Sequence, residues 1–263
     1  MHVVSLFRYP VKSMPGHPVN TLPLDELGPQ GDRRWMLVDE QGRFMTQRQW
    51  PQLSQLKVSV REGAPGVSVR LPDGREGQVD VTGEKTPVTV WRDEVLATQG
   101  AGDAAGLLSD WLGQSVRLVY MGEDDERQVD PARVEEPRRV GFADGFPFLV
   151  VNLASLRQLE AWTGRRLDVR RFRPNIVVDT DEPFAEDAWC ELSVGNVLMR
   201  CVKPCSRCVM TTVDPDTGQP DPDKEPLRTL GRHRRTPDGV IFGQNAIHLN
   251  GREIRIGDAV KLA

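Results

Sequence analysis

Residues 201–218 read CVKPCSRCVMTTVDPDTG and hold three of the four cysteines of the chain, Cys201, Cys205 and Cys208. The kind of protein turns on how these thiols are used. A structural zinc site takes four nitrogen or sulfur ligands, normally from two separated pairs. Cys205 and Cys208 supply one pair, while Cys190 and Cys201 fall on successive strand arms at irregular spacing. A thioredoxin-like pair needs its CxxC at a helix start, where the helix dipole lowers the thiol pKa. The residues after Cys208, VMTTVDPDTG, are rich in β-branched types and close on a turn, which predicts strand instead. Plant-type iron–sulfur spacing, C-x4-C-x2-C, does not match the C-x3-C-x2-C found here. The fourth reading is a single thiolate on a soft metal, with the other cysteines packed as small apolar side chains. Spacing alone leaves zinc and the single thiolate both standing.

The remaining composition narrows the class. The chain has 263 residues, enough for one large domain or two smaller ones, with 27% charged and 38% hydrophobic residues. A net charge of −4 argues against a general nucleic-acid binder, whose basic excess is missing. Local basic clusters (Arg170, Arg171, Arg173; Arg232, Arg234, Arg235) read first as solvated faces. There is no apolar run of about 18 residues, hence no membrane span, and no secretory signal at the start. Four cysteines in so long a chain do not make a disulfide scaffold, so a reducing cytoplasm is expected.

The first half reads as strands. VVSLFRYPV (3–11) stops at MPGHP, and RRWMLVDEQGRFMTQRQ (33–49) forms a hairpin about Gly42. VSVREGAPGVSVRLPDG (58–74) repeats the pattern about a Pro-Gly turn, and PVTVWRDEVLATQ (87–99) is a strand or strand pair. DAAGLLSDWLG (103–113) changes to helical period and ends at Gly113; SVRLVYM (115–121) returns to strand. The charged GEDDERQVDPARVEEPRR (122–139) is a linker or long surface loop. LASLRQLEAWTG (153–164) is a helix capped by Asn152 and stopped by Gly164. PNIVVD, CELSVGNVLMRCVKP, GVIFGQNAIHL and EIRIGDAVKL read as strand. The fold class is therefore β-rich α+β.

These blocks resemble a known family. YPVKS (9–13), DRRWMLVD (32–39) and TQRQWP (46–51) are similar to the N-terminal β-barrel domain that precedes MOSC domains. FADGFPFLVVNLASL, FRPNIVVD, KPCSRCVMTTVDPDTG, EPLRTL and FGQN are similar to the MOSC domain itself. Within the family the resemblance is to bacterial MOSC reductases of N-hydroxylated bases and the mitochondrial amidoxime-reducing component. It implies an N-terminal β domain over residues 1–120, whose first ~40 residues also serve the cofactor site. A β-barrel MOSC domain with a few helices then covers 121–263.

The resemblance further implies a molybdenum cofactor (Mo-molybdopterin), with Cys208 as the protein ligand to the metal. Phosphate and pterin would be held by Lys12, Ser13, Arg33, Arg173, Asn175, Ser206, Arg207 and Asn245. Arg33 is preferred to its neighbour Arg34, position 245 departs from the aromatic residue of the mitochondrial relatives, and Arg48 is a weaker candidate that a structural ion pair would also explain. Asp144 aligns with an acidic residue near the metal and is expected to orient substrate or carry protons, or else to cap a turn. The implied activity is reduction of N-hydroxylated bases, hydroxylamines or amidoximes. Since the chain stops at Ala263 after EIRIGDAVKLA, electrons are expected from a separate flavoprotein, ferredoxin or cytochrome. A cofactor-binding or sulfur-carrier module without reductase activity is the alternative.

Overall fold

The computed structural model describes residues 1–61 and 65–263. The described residues are β-rich, with three α-helices among them: α1 (Ala104–Leu112), α2 (Leu153–Thr163) and α3 (Leu227–His233). Strands Trp35–Asp39, Val116–Tyr120, Asp93–Ala101, Glu76–Val90, Val67–Arg70 and Lys57–Val60 form a six-stranded antiparallel sheet in that order. The turn expected between the last two lies partly at 62–64, outside the described residues.

The larger sheet has nine strands. Its central path runs Glu191–Val194, Val197–Ser206, Gly239–His248, Phe148–Asn152, Ile176–Asp179 and His2–Arg8. The first strand of the chain thus pairs antiparallel with Ile176–Asp179, placing Leu6 beside Ile176. Among the described residues, only Phe148–Asn152 and Ile176–Asp179 run parallel within the named strands, and α2 makes their crossover. A three-stranded sheet joins Glu253–Arg255, Thr21–Asp25 and Gly28–Pro29.

Unbroken apolar runs in the sequence correspond to strands buried on both faces. Side chains alternate across a strand, so Trp35 and Leu37 enter one core with α1 residues Leu108 and Leu112, while Met36 and Val38 enter another with Val90 and Phe142. In the larger sheet Phe148 and Val150 pack with Val3 and Leu192, and Leu149 and Val151 pack with Leu159 of α2 and Leu230 of α3. The stripe on α2 is held in register by its cap: the Asn152 side chain accepts from Ala154 N, and Gly164 ends the helix in the left-handed conformation.

Two local expectations change, and a third gains detail. The segment after Cys208 is a single 3-10 turn, Val209–Thr212, rather than strand. Thr211 Oγ1 and Thr212 Oγ1 bond back to the carbonyls of Cys208 and Val209, at 2.9 and 2.8 Å, so β-branched residues stabilise a turn here. The arm after Gly42 makes isolated bridges, Val38 with Phe44 and Arg43 with Thr89, rather than a continuous strand. The charged stretch 122–139 is a surface loop with buried anchors, Asp125 and Arg127. Among the described residues no helix is long and apolar enough to cross a membrane.

Candidate functional site

The chain passes from the larger sheet to the smaller through residues 9–34, and this passage builds one wall of a cleft between them. Lys12 N donates to Trp35 O at 2.8 Å and Arg33 N to Tyr9 O at 2.6 Å, tying the two ends of the passage together. Ser13 and Arg33 both take left-handed φ, 63° and 46°. Such conformations are costly without glycine and collect at functional sites. Arg173, on the opposite wall after the 3-10 turn Val169–Phe172, has φ 56° as well.

The cleft is lined by Lys12, Ser13, Arg33, Asp144, Arg173, Asn175, Ser206, Arg207, Cys208 and Asn245. The residues assigned from the resemblance therefore gather at one space, with Asn175 behind Arg33. Its charge is strongly biased. Six cationic residues line it (Lys12, Arg33, Arg48, Arg171, Arg173, Arg207) against one acidic residue, Asp144, which favours an anionic ligand.

Each cation is fixed differently. Lys12 is buried, and its Nζ donates to Phe142 O at 2.8 Å and Asp144 Oδ1 at 2.5 Å. Burial lowers its pKa to about 8 against the raising effect of Asp144, with Arg127 and Arg33 lowering it further. Arg33 donates to Asp32 Oδ2 at 2.5 Å, Asn175 Oδ1 at 2.9 Å and Arg173 O at 3.1 Å. Burial alone would lower its pKa, but Asp32 and the surrounding groups raise it overall. Arg173 lacks a carboxylate partner among the described residues; burial and then Arg33 lower it to about 10. Both guanidinium groups lie over the Tyr9 ring, at 4.6 and 4.3 Å. Arg173 Nη2 and Arg207 Nε are buried without a hydrogen-bond partner among the described residues. Arg34 points away, donating to Asp25 Oδ2 at 2.6 Å and to Met121 O. Arg33, not Arg34, faces the cleft.

Asn175 is wholly buried and its amide is spent inside the protein. Oδ1 accepts from Arg33 and Leu149 N, and Nδ2 donates to Phe7 O and Asp32 Oδ1. These four bonds exhaust an amide side chain, so Asn175 acts on the cleft by fixing Arg33. Ser206 Oγ donates to Asp238 O at 2.7 Å, and Asn245 Nδ2 makes a long contact of 3.4 Å to Pro204 O.

Asp144 lies inside the cleft walls, yet its side chain is 65% exposed because the cleft itself is open. Desolvation by those walls raises its pKa, but Lys12, Arg48 and the Trp91 indole N–H together hold the carboxyl well below the usual range. It is an ionised acceptor.

Two of the cysteines line the cleft. Cys208 Sγ accepts from Arg48 Nε at 3.3 Å. Cys205 also packs against the Phe172–Phe242 core and accepts from Arg207 Nη1 at 2.9 Å. Cys201 packs against the other core face, where burial pushes its thiol up to about 12, and Cys190 is exposed. Among the described residues no three His, Cys, Asp or Glu side chains gather as a metal site. The zinc reading loses its ligands, and a metal here would need ligands brought by a cofactor. Arg48 has no ion-pair partner among the described residues; its guanidinium contacts are Cys208 Sγ and the Trp91 ring.

Sequence reasoning missed Arg127 and Trp91. Arg127 donates to Gly141 O at 2.7 Å and Ala143 O at 2.6 Å, fixing the loop that carries Asp144. It sits in a charged run that reads as solvated. Trp91 lies in the turn between the two longest strands of the smaller sheet, where nothing local marks it as a site residue.

A cation-lined cleft between two β-sheets, with Cys205 and Cys208 in its lining, suits an anionic ligand beside a thiol. The chain belongs to the MOSC family: it matches the MOSC N-terminal beta barrel domain over residues 1–115 and the MOSC domain over 137–261. It is 34% identical to mitochondrial amidoxime-reducing component 1 of Mus musculus, covering 99% of this chain and 82% of that one. Against mitochondrial amidoxime-reducing component 1 of Homo sapiens it is 32% identical over the same shares, 99% and 82%. Against molybdenum cofactor sulfurase of Oryza sativa subsp. japonica it is 27% identical, covering 100% of this chain and 34% of that one. These relatives associate the family with molybdenum-cofactor chemistry.

Proposed function

We propose that the chain is a molybdenum-cofactor-dependent reductase of N-hydroxylated compounds: N-hydroxylated bases, hydroxylamines and amidoximes. The observation that carries this reading is the cleft itself, with six cationic residues, one carboxylate and two cysteines, of which Cys208 is the one that faces Arg48. Relatives named amidoxime-reducing component support the substrate class. In this reading the chain has two domains, 1–120 and 121–263, and works in a reducing cytoplasm.

Cys208 is the protein ligand to molybdenum; a metal-bound thiol is deprotonated outright, and thiolate suits a soft metal. Lys12, Ser13, Arg33, Arg173, Ser206, Arg207 and Asn245 hold the phosphate and pterin, with Asn175 fixing Arg33. The cofactor supplies the two-electron chemistry that cleaves an N–O bond. Reducing R–NH–OH to R–NH2 and water takes two electrons and two protons, so the protein must manage protons beside the thiol. Asp144, ionised and bonded to Lys12, orients the N–H or O–H of the substrate and accepts a hydrogen bond from it. Lys12, with its pKa near 8, is the neighbouring group able to release a proton near neutral pH. Electrons come from a separate flavoprotein, ferredoxin or cytochrome.

The test is reduction of an amidoxime to its amidine by cofactor-loaded protein, with a reduced viologen dye in place of the donor. Turnover by the wild type and its loss in Cys208→Ala are expected. Stoichiometric molybdenum without any N-hydroxy reduction would overturn the reading, and persulfide sulfur on Cys208 in its place would favour the carrier alternative.

A further inference from the structure

Among the described residues six other than glycine have positive φ, and four of them line the cleft: Ser13, Arg33, Arg173 and Trp91. The first three belong to the anion-binding wall already described. Trp91 does not, and at φ 58° it is a bulky residue in a conformation that needs outside support.

The support comes from Phe44 and from two cleft residues, Asp144 and Arg48. The indole Nε1 donates to Asp144 Oδ1 at 3.2 Å, and Phe44 packs on the ring with centroids 4.8 Å apart. The Arg48 guanidinium lies 4.5 Å from the ring centroid, and Arg48 Nε in turn donates to Cys208 Sγ at 3.3 Å. A residue of the smaller sheet is thereby linked to the thiol of the larger one through a single side chain. Arg48 is long, exposed and without an ion-pair partner among the described residues. A cation–π contact is what keeps such a side chain in one place.

We propose that Trp91 is a positioning residue that holds the Arg48 guanidinium at the Cys208 thiol, so that a negatively charged oxygen arriving there meets a fixed cation. This deepens the reductase reading by giving the N-bound oxygen of the substrate a specific partner, Arg48, and it rests on Cys208 being the centre of the site. The strained φ of Trp91 is the conformation that turns the indole toward both Asp144 and Arg48.

The test uses cofactor-free protein and needs no reductase activity, so its failure is separate from that of the reductase reading. Cys208 is alkylated with anionic iodoacetate or neutral iodoacetamide, and peptide mass spectrometry reads each cysteine. The iodoacetate-to-iodoacetamide rate ratio at Cys208 is expected to fall about fivefold in Arg48→Ala, the size of one charge attraction across ~4 Å of solvent. Trp91→Ala is expected to give a similar fall, the double variant no further fall, and Trp91→Phe, which keeps a ring under Arg48, a ratio close to wild type. The ratio at exposed Cys190 stays constant throughout and reports that the fold is intact. Should Trp91→Ala not fold, Trp91→Leu fills the space without an aromatic face and carries the same expectation. A wild-type ratio in the Trp91 variants, or losses that multiply in the double variant, overturns the proposal.

Discussion

Lys12 Nζ and Asp144 Oδ1 lie 2.5 Å apart although 132 positions separate them in the chain. The pair joins the passage between the sheets to the loop anchored by Arg127, at the floor of the cleft. It also sets how the cleft responds to pH. Because burial lowers Lys12 to about 8, its charge is lost just above neutrality rather than near the ordinary 10.5. Sulfate, whose own charge is constant in this range, should bind the cofactor-free cleft progressively more weakly as pH rises through about 8, by calorimetry. Asp144→Asn removes the main group raising that pKa and should move the transition lower; Lys12→Met should abolish it. An affinity unchanged between about pH 7 and about pH 9.5 contradicts the assignment. The same shift makes the contribution of this group to folding stability rise with pH between about 8 and 10.5, since the unfolded chain then holds the proton that the folded one has lost.

Asn175 fixes Arg33 and Asp32 from a fully buried position. Asn175→Ala leaves both without that partner and should cost ~2–3 kcal/mol in denaturant unfolding, the penalty of stranded buried polar groups. A loss below ~0.5 kcal/mol would show that the network relaxes without it.

The three remaining cysteines should be dispensable for the metal. Cys190→Ser, Cys201→Ala and Cys205→Ala are expected to keep the metal content of the wild type, with Cys201→Ala losing ~1 kcal/mol of stability from its packing against the core. One zinc per chain, lost in Cys205→Ala, would restore the zinc reading.

Gly243 in FGQN has φ 77°, and a Cβ there would sit 2.7 Å from Val150 O. Gly243→Ala should therefore destabilise the strand junction beneath Asn245 by ~1–3 kcal/mol, read from the thermal unfolding midpoint. An unchanged midpoint would mean that the strand shifts freely there.

Local signals were legible where one element decides them. Asn152 and Gly164 bracket α2 as their side-chain chemistry predicts, and the apolar runs around Trp35 and Phe148 are strands. Composition alone does not reveal that such strands serve two cores at once. The turn after Cys208 was misread because β-branched threonines favour strands in general, while Thr211 and Thr212 use their hydroxyls to close a turn. α3 went unread: it is a seven-residue helix, Leu227–His233, too short for a periodic signal. The residues Lys12, Arg33 and Arg173 could be singled out through motifs, but their meeting depends on pairing between His2–Arg8 and Ile176–Asp179, which no local pattern encodes. Arg127 and Trp91 were invisible for the same reason. Each is defined by a partner far away in sequence, Ala143 and Asp144 respectively.

In the proposed reductase, Cys208 is the one protein ligand to a molybdenum cofactor held by the cationic cleft. The most direct measurement is molybdenum and pterin content of wild-type and Cys208→Ala protein purified from a host that makes the cofactor. Close to one molybdenum and one pterin per chain in the wild type are predicted, with molybdenum sharply reduced in the variant. Equal molybdenum in both proteins, or wild-type protein that acquires neither molybdenum nor pterin, would contradict the account.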